Sequence, residues 1–184
     1  IFDNIMIHNP DVFIHSWEIK KENEIVNIFQ PKYYTFETQR TFDNSIKKID
    51  WSRFSKSYQK PFNAISGLYS VMQANNLKSM YEKEKKFKYD CVLLCRFDVG
   101  YHNSGKNKTS FIDFNLDYDM NKVYTAYWDQ INAGISNHWI YSNSENMDWI
   151  CNMHNYIIPY LEPESEYIKE MTGGMFDTNM EYWF

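Results

Sequence analysis

Arg96 and Asp98 stand two residues apart, directly after the apolar run Cys91-Val92-Leu93-Leu94-Cys95. Residues at i and i+2 of a strand share a face, so a cation and a carboxylate are expected together at its end. An unbroken apolar run of this length, closed by Gly100, reads as a strand covered on both faces. Open α/β sheets bind ligands outside the carboxyl ends of their strands. There a guanidinium suits phosphate through bidentate contacts, and a carboxylate suits a hard divalent cation. The competing reading of Arg96 and Asp98 is a structural ion pair. A second constellation lies in residues 128–138, where Asp129, Asn132, Asn137 and His138 surround Gly134, which permits close backbone approach. Turn chemistry alone also explains Asp129, Asn137 and His138. A third pairs His15 with Trp17 at the end of an apolar stretch, suited to a stacking or ribose contact, or else to plain core packing. Tyr69, Ser70 and Asn75 join them as candidates that hydrogen bonding within the core would equally explain.

The elements that must position these residues follow from periodicity and punctuation. A helix tail reaching residue 7 stops at Asn9-Pro10, and a strand is expected over 11–17. A charged helical or irregular piece covers 20–27, and a β-rich strand spans 30–37. Residues 38–60 read as a long loop of the kind that forms lids or binding loops. From Pro61 to about residue 86, Ile65, Leu68, Tyr69, Met72, Asn76 and Met80 recur at helical spacing, and the stretch 78–86 is expected to be solvated. This helix would deliver the chain into the 91–95 strand, by a right-handed crossover if the sheet is parallel. Further strands are expected at 123–126 and 139–141, separated from the first by a polar excursion over 101–120. Ser142-Asn143-Ser144-Glu145 has capping-box form and opens a helix over about 143–157 that Pro159 ends. His102 and His154 are expected at the surface, and Glu162, Glu164 and Glu166 along a solvated edge.

A chain of 184 residues supports one core, and 43% hydrophobic with 18% aromatic residues rules out a disordered class. A net charge of −5 argues against a nucleic-acid grip. Arginine is scarce: only Arg40, Arg53 and Arg96 occur, which singles out the one at a strand end. Cys91 and Cys95 share a strand face too far apart to bond, and with Cys151 they read as core residues of a reducing compartment. No stretch reaches membrane-spanning length and no leader pattern is visible, so a cytoplasmic location is expected. The opening Ile1 and the stop at Phe184 suggest a single domain, 1–184, cut as a fragment.

Four pieces occur in order: the run from Asp11 to Trp17, the helical Leu68 to Leu77, Tyr89 to Asp98, and Ser142 to Met147. Together they resemble a group of GT-A-like glycosyltransferases of large DNA viruses and bacterial surface-polysaccharide clusters. The resemblance covers most of residues 11–155. It implies an α/β fold with a mostly parallel, Rossmann-like central sheet flanked by helices, lacking its first strand here. It implies transfer of a sugar from a nucleotide-sugar donor to a glycan acceptor. Arg96-Phe97-Asp98 takes the place of the family's Asp-x-Asp motif, with Asp98 toward a divalent cation (Mn²⁺ or Mg²⁺) and Arg96 beside the diphosphate. His15, Trp17 and Asn137 then fall to the donor, and Asp129 or His138 to proton removal from the acceptor hydroxyl. The departure from two acids puts the metal in question. The alternative is a non-catalytic carbohydrate-binding or assembly module, with Trp51, Tyr58, Tyr101 and Trp128 stacking on sugars. A nucleotidyltransferase lacks its Gly-rich phosphate loop, because Gly173-Gly174 stands alone.

Overall fold

The computed structural model describes residues 5–49, 61–96, 114–126, 138–162 and 165. They form a mixed α/β fold. Strand β1 (Phe13–Ser16) is followed by helix α1 (Glu22–Phe29), strand β2 (Tyr33–Phe36) and the short helix α2 (Asp43–Ile46). The long helix α3 (Pro61–Lys85) leads to β3 (Val92–Cys95), β4 (Tyr124–Thr125) and β5 (Trp139–Ser142). Helices α4 (Ser144–Cys151) and α5 (Met153–Leu161) follow. The expected helix tail before β1 is a 3-10 turn, Met6–His8, closed by Asn9 at φ 49.

β1 and β2 pair in parallel, Phe13 opposite Tyr33 through Ser16 opposite Phe36, with α1 making the crossover. The other three strands form an antiparallel sheet in the order β3-β5-β4. This differs from the expectation of parallel pairing at β3, which lies antiparallel to β5 with Cys95 opposite Trp139. The strand covered on both faces is also β5, buried along its whole length, whereas β3 is half-buried throughout. The apolar run of β3 indicated a strand but not its rank in the sheet, which pairing decides. Tyr89, just before β3, donates its hydroxyl to Asp11 Oδ2 at 2.6 Å, just before β1. That contact ties the segment before β1 to the segment before β3.

Helix α3 packs on β1 and β2 and also on α4 and α5, so it carries buried residues around much of its girth. Ala64, Ile65 and Leu68 join Ile49 and Ile157 in one core cluster. Ile140, Met147, Ile150 and Cys151 form another, with Val71, Val92 and Leu94 packed against it. Ile5, Ala126, Trp139 and Tyr141 fill the other face of the antiparallel sheet, against Cys91, Leu93 and Cys95.

The helix after β5 opens one residue later than the capping box suggested. Asn143 is the cap, its side chain accepting from Asn146 N–H at 2.9 Å, while Ser142 finishes β5 and donates to the Lys122 carbonyl at 2.8 Å. The helix is also two helices broken at Asn152, and Pro159 lies inside α5 rather than ending it.

Candidate functional site

The carboxyl ends of β1 and β2 meet the middle of α3, and a polar cluster forms there. His15 is the hub. Its Nδ1 lies 2.7 Å from Ser70 Oγ and its Nε2 lies 3.0 Å from Glu37 Oε1, the residue directly after β2. Burial lowers the pKa of His15, with Glu37 opposing. Burial would raise the carboxyl of Glu37, but the hydrogen bonds from His15, Arg40 and Tyr69 outweigh it and hold its pKa down. An ionised carboxylate only accepts, so the neutral ring carries its proton on Nε2 and leaves the Nδ1 lone pair for the Ser70 hydroxyl.

Glu37 also anchors Arg40. Both Nε and Nη2 of Arg40 donate to Glu37 Oε2, at 3.1 and 2.8 Å, and the guanidinium lies 4.6 Å over the Tyr69 ring. The Gln39 side chain ties the same segment to α3 through Ser66 Oγ at 3.0 Å. The Arg40 side chain is 54% exposed, while that of His15 is fully covered. Chemically the cluster presents a guanidinium fixed from below and behind, with free N–H groups toward solvent among the described residues. Such a group matches phosphate or carboxylate oxygens. Trp17 stacks on Tyr69 with centroids 5.5 Å apart, and Phe42 and His154 close the aromatic shell around Tyr69.

His154 belongs to this shell rather than to the surface, correcting the sequence reading. Both of its ring nitrogens are buried without a hydrogen bond of normal geometry among the described residues, and burial lowers its pKa. Of the other residues singled out in the sequence, Arg96 is exposed just past β3, and its N–H donates to the His138 carbonyl at 3.3 Å. Those two are brought together at one end of the β3–β5 pair. His138 is half-buried there. Asp98, Asp129, Asn137, and the aromatic residues Trp51, Tyr58, Tyr101 and Trp128 lie outside the described residues. Glu37 and Arg40 were not among the sequence candidates. Their spacing just after a strand, and the scarcity of arginine, were the available signal.

A second polar cluster lies farther along α3, where the sequence predicted a solvated helix end. Lys78 and Glu82 are instead buried. Lys78 Nζ donates to Asp148 Oδ1 at 2.7 Å and to Ser144 Oγ at 2.6 Å, and Ser144 donates on to Glu82 Oε1 at 2.6 Å. The Tyr89 N–H and Lys88 satisfy the rest of Glu82, at 3.0 and 2.9 Å, and Asn75 and Ser79 add bonds to Asp148. Burial would raise the Glu82 carboxyl, but these bonds outweigh it and hold its pKa down. Two cations face two carboxylates, so the network closes on itself. Asn75 joins this core network through its Nδ2, while its buried Oδ1 has no hydrogen-bond partner among the described residues.

Among the described residues no three His, Cys, Asp or Glu side chains converge to hold a metal ion, and no helix is long and apolar enough to cross a membrane. No protein-family model matches the chain, and neither a curated protein nor a solved structure is significantly similar to it.

Proposed function

We propose that the chain is a GT-A-like glycosyltransferase domain that moves a sugar from a nucleotide-sugar donor to a glycan acceptor in the cytoplasm. The observation that carries this reading is the preformed Arg40, held by Glu37 and Tyr69 at the carboxyl ends of two parallel strands. A diphosphate leaving group needs positive charge arranged before the reaction, and a guanidinium already fixed costs little further ordering. The exposed Arg96 past β3 supplies a second cation, and the Tyr89–Asp11 contact ties the segment before its strand to the segment before β1. In the transfer, the acceptor hydroxyl oxygen bonds to the anomeric carbon as the bond from that carbon to the diphosphate oxygen breaks. The hydroxyl proton passes to Asp129 or His138, and the diphosphate leaves with its charge met by the arginines. Asp98 is the residue this proposal assigns to a divalent cation (Mn²⁺ or Mg²⁺).

The test is a thermal-shift and calorimetric panel of nucleotide sugars, with and without Mn²⁺. Arg40→Ala and Arg96→Ala should each weaken donor binding about tenfold, the loss of one charge-assisted contact. Both are exposed, so stability should stay within about 1 kcal/mol. Absence of donor binding together with measurable glycan binding would replace this reading by the non-catalytic carbohydrate-binding module.

A further inference from the structure

The cavity at the far end of α3 has an unassigned chemistry. It is an open, shallow depression of about 510 Å³ lined by Ser79, Glu82, Lys83, Lys86, Phe87 and Lys88. Ser70 and Glu82 are twelve residues apart on one helix, so the cavity lies about 18 Å from the His15 cluster. It is a separate place. Among the described residues Glu82 is its only acidic wall, and that carboxylate is already engaged by Ser144, Lys88 and the Tyr89 N–H. Lys88 is likewise held, by Glu82 and by Asp148 Oδ2 at 3.0 Å. Lys83 and Lys86 are different. Both are exposed, and neither meets a carboxylate within ion-pair distance among the described residues. Two uncompensated cations therefore line a concavity on a chain whose net charge is −5.

The carboxyl-terminal dipole of α3 favours cations in its last turn and would explain Lys83. It does not explain Lys86. That residue is the left-handed cap, at φ 58, with the following Phe87 N–H donating to the Glu82 carbonyl at 3.1 Å. Glycine normally fills this position because a Cβ is disfavoured there. Lys86 stands at the cavity edge in this left-handed conformation, which Gln30 also adopts at the end of α1. Phe87 beside it is 39% exposed and meets Tyr89 and Tyr81 in T-shaped contacts, with centroids 4.7 and 6.1 Å apart, so part of its ring stays open to a flat partner.

We infer that this cavity binds a nucleotide, its phosphates on Lys83 and Lys86 and its base against Phe87. The volume falls in the range of small-molecule pockets. The site is independent of the donor site proposed above. Inorganic pyrophosphate and ADP serve as probes, titrated by calorimetry into Arg40→Ala protein so that any donor-site binding is already weakened. Both should bind, ADP the tighter. Lys83→Ala combined with Lys86→Gly should weaken both by about a hundredfold, tenfold for each cation. Lys86→Gly by itself should leave the melting temperature unchanged or raised, because it relieves the cap. Phe87→Ala should bring ADP down to the affinity of pyrophosphate. Unchanged pyrophosphate binding in the double lysine variant, or equal affinity for ADP and pyrophosphate in the parent, overturns the inference whatever becomes of the transferase reading.

Discussion

Lys78 of α3 and Asp148 of α4 meet at 2.7 Å, the lysine side chain being 3% exposed. This contact fastens the long helix to the helix after β5, and Glu82 with Lys88 closes a four-charge network around it. Removing one member of a buried network leaves a partner charged and uncompensated, which costs about 3–5 kcal/mol. Lys78→Ala should therefore destabilise the fold by about 3 kcal/mol or more in urea unfolding. A loss below about 1 kcal/mol would mean that water reaches Glu82 freely.

The same network sets the acid limb of stability. Burial would raise the pKa of Asp148, but hydrogen bonds from Lys78, Asn75 and Lys88 outweigh it and hold the carboxyl at about 2. The folded pKa lies below the unfolded value, so the contribution is present above about pH 4 and is lost as pH falls toward 2. Urea midpoints measured from pH 5 to pH 2 should fall steeply for the parent and less so for Asp148→Asn. Parallel curves would refute the assignment.

His154 supplies a prediction of the opposite kind. Its buried nitrogens lack good partners and its neighbours Tyr69 and Phe42 are aromatic, so the site suits an apolar ring. His154→Phe should stabilise the protein by about 1 kcal/mol at pH 7. Burial lowers the pKa of this histidine below 6.5, so the parent loses stability as pH drops beneath that value and through the folded pKa. The variant should lose that part of the pH dependence, read as melting temperature between pH 7 and pH 5.

The three cysteines should be quiet in the folded state. Burial pushes the thiols of Cys91 and Cys95 up to about 11 and that of Cys151 up to about 12. Thiolate is the reactive form, so alkylation at pH 8 should rise at least about tenfold on adding denaturant. Fast labelling of the native protein would contradict the core packing described for them.

Ser70 tests the hub. Ser70→Ala removes the hydroxyl that His15 Nδ1 receives, leaving a buried ring nitrogen unsatisfied at a cost of about 1–3 kcal/mol. A urea midpoint identical to the parent's would show that solvent replaces the hydroxyl.

Sequence alone placed these elements well, because their signals are local. Pro61 with the spacing of Ile65, Leu68 and Met72 marks α3, and the β-rich stretches around Phe13, Tyr33 and Trp139 become β1, β2 and β5. It also singled out His15 and Trp17, which do end β1 in a polar and aromatic cluster. Glu37 and Arg40 were passed over because nothing nearby in the chain tells that β2 lies beside β1 and that Tyr69 lies beneath them. Lys78 and Glu82 looked solvated for the same reason, since their partners Ser144 and Asp148 come more than sixty residues later. Which strand is covered, which charge is buried and which histidine is satisfied depend on contacts between distant segments. Those contacts carry no periodic signature along the chain, so only the folded arrangement decided them.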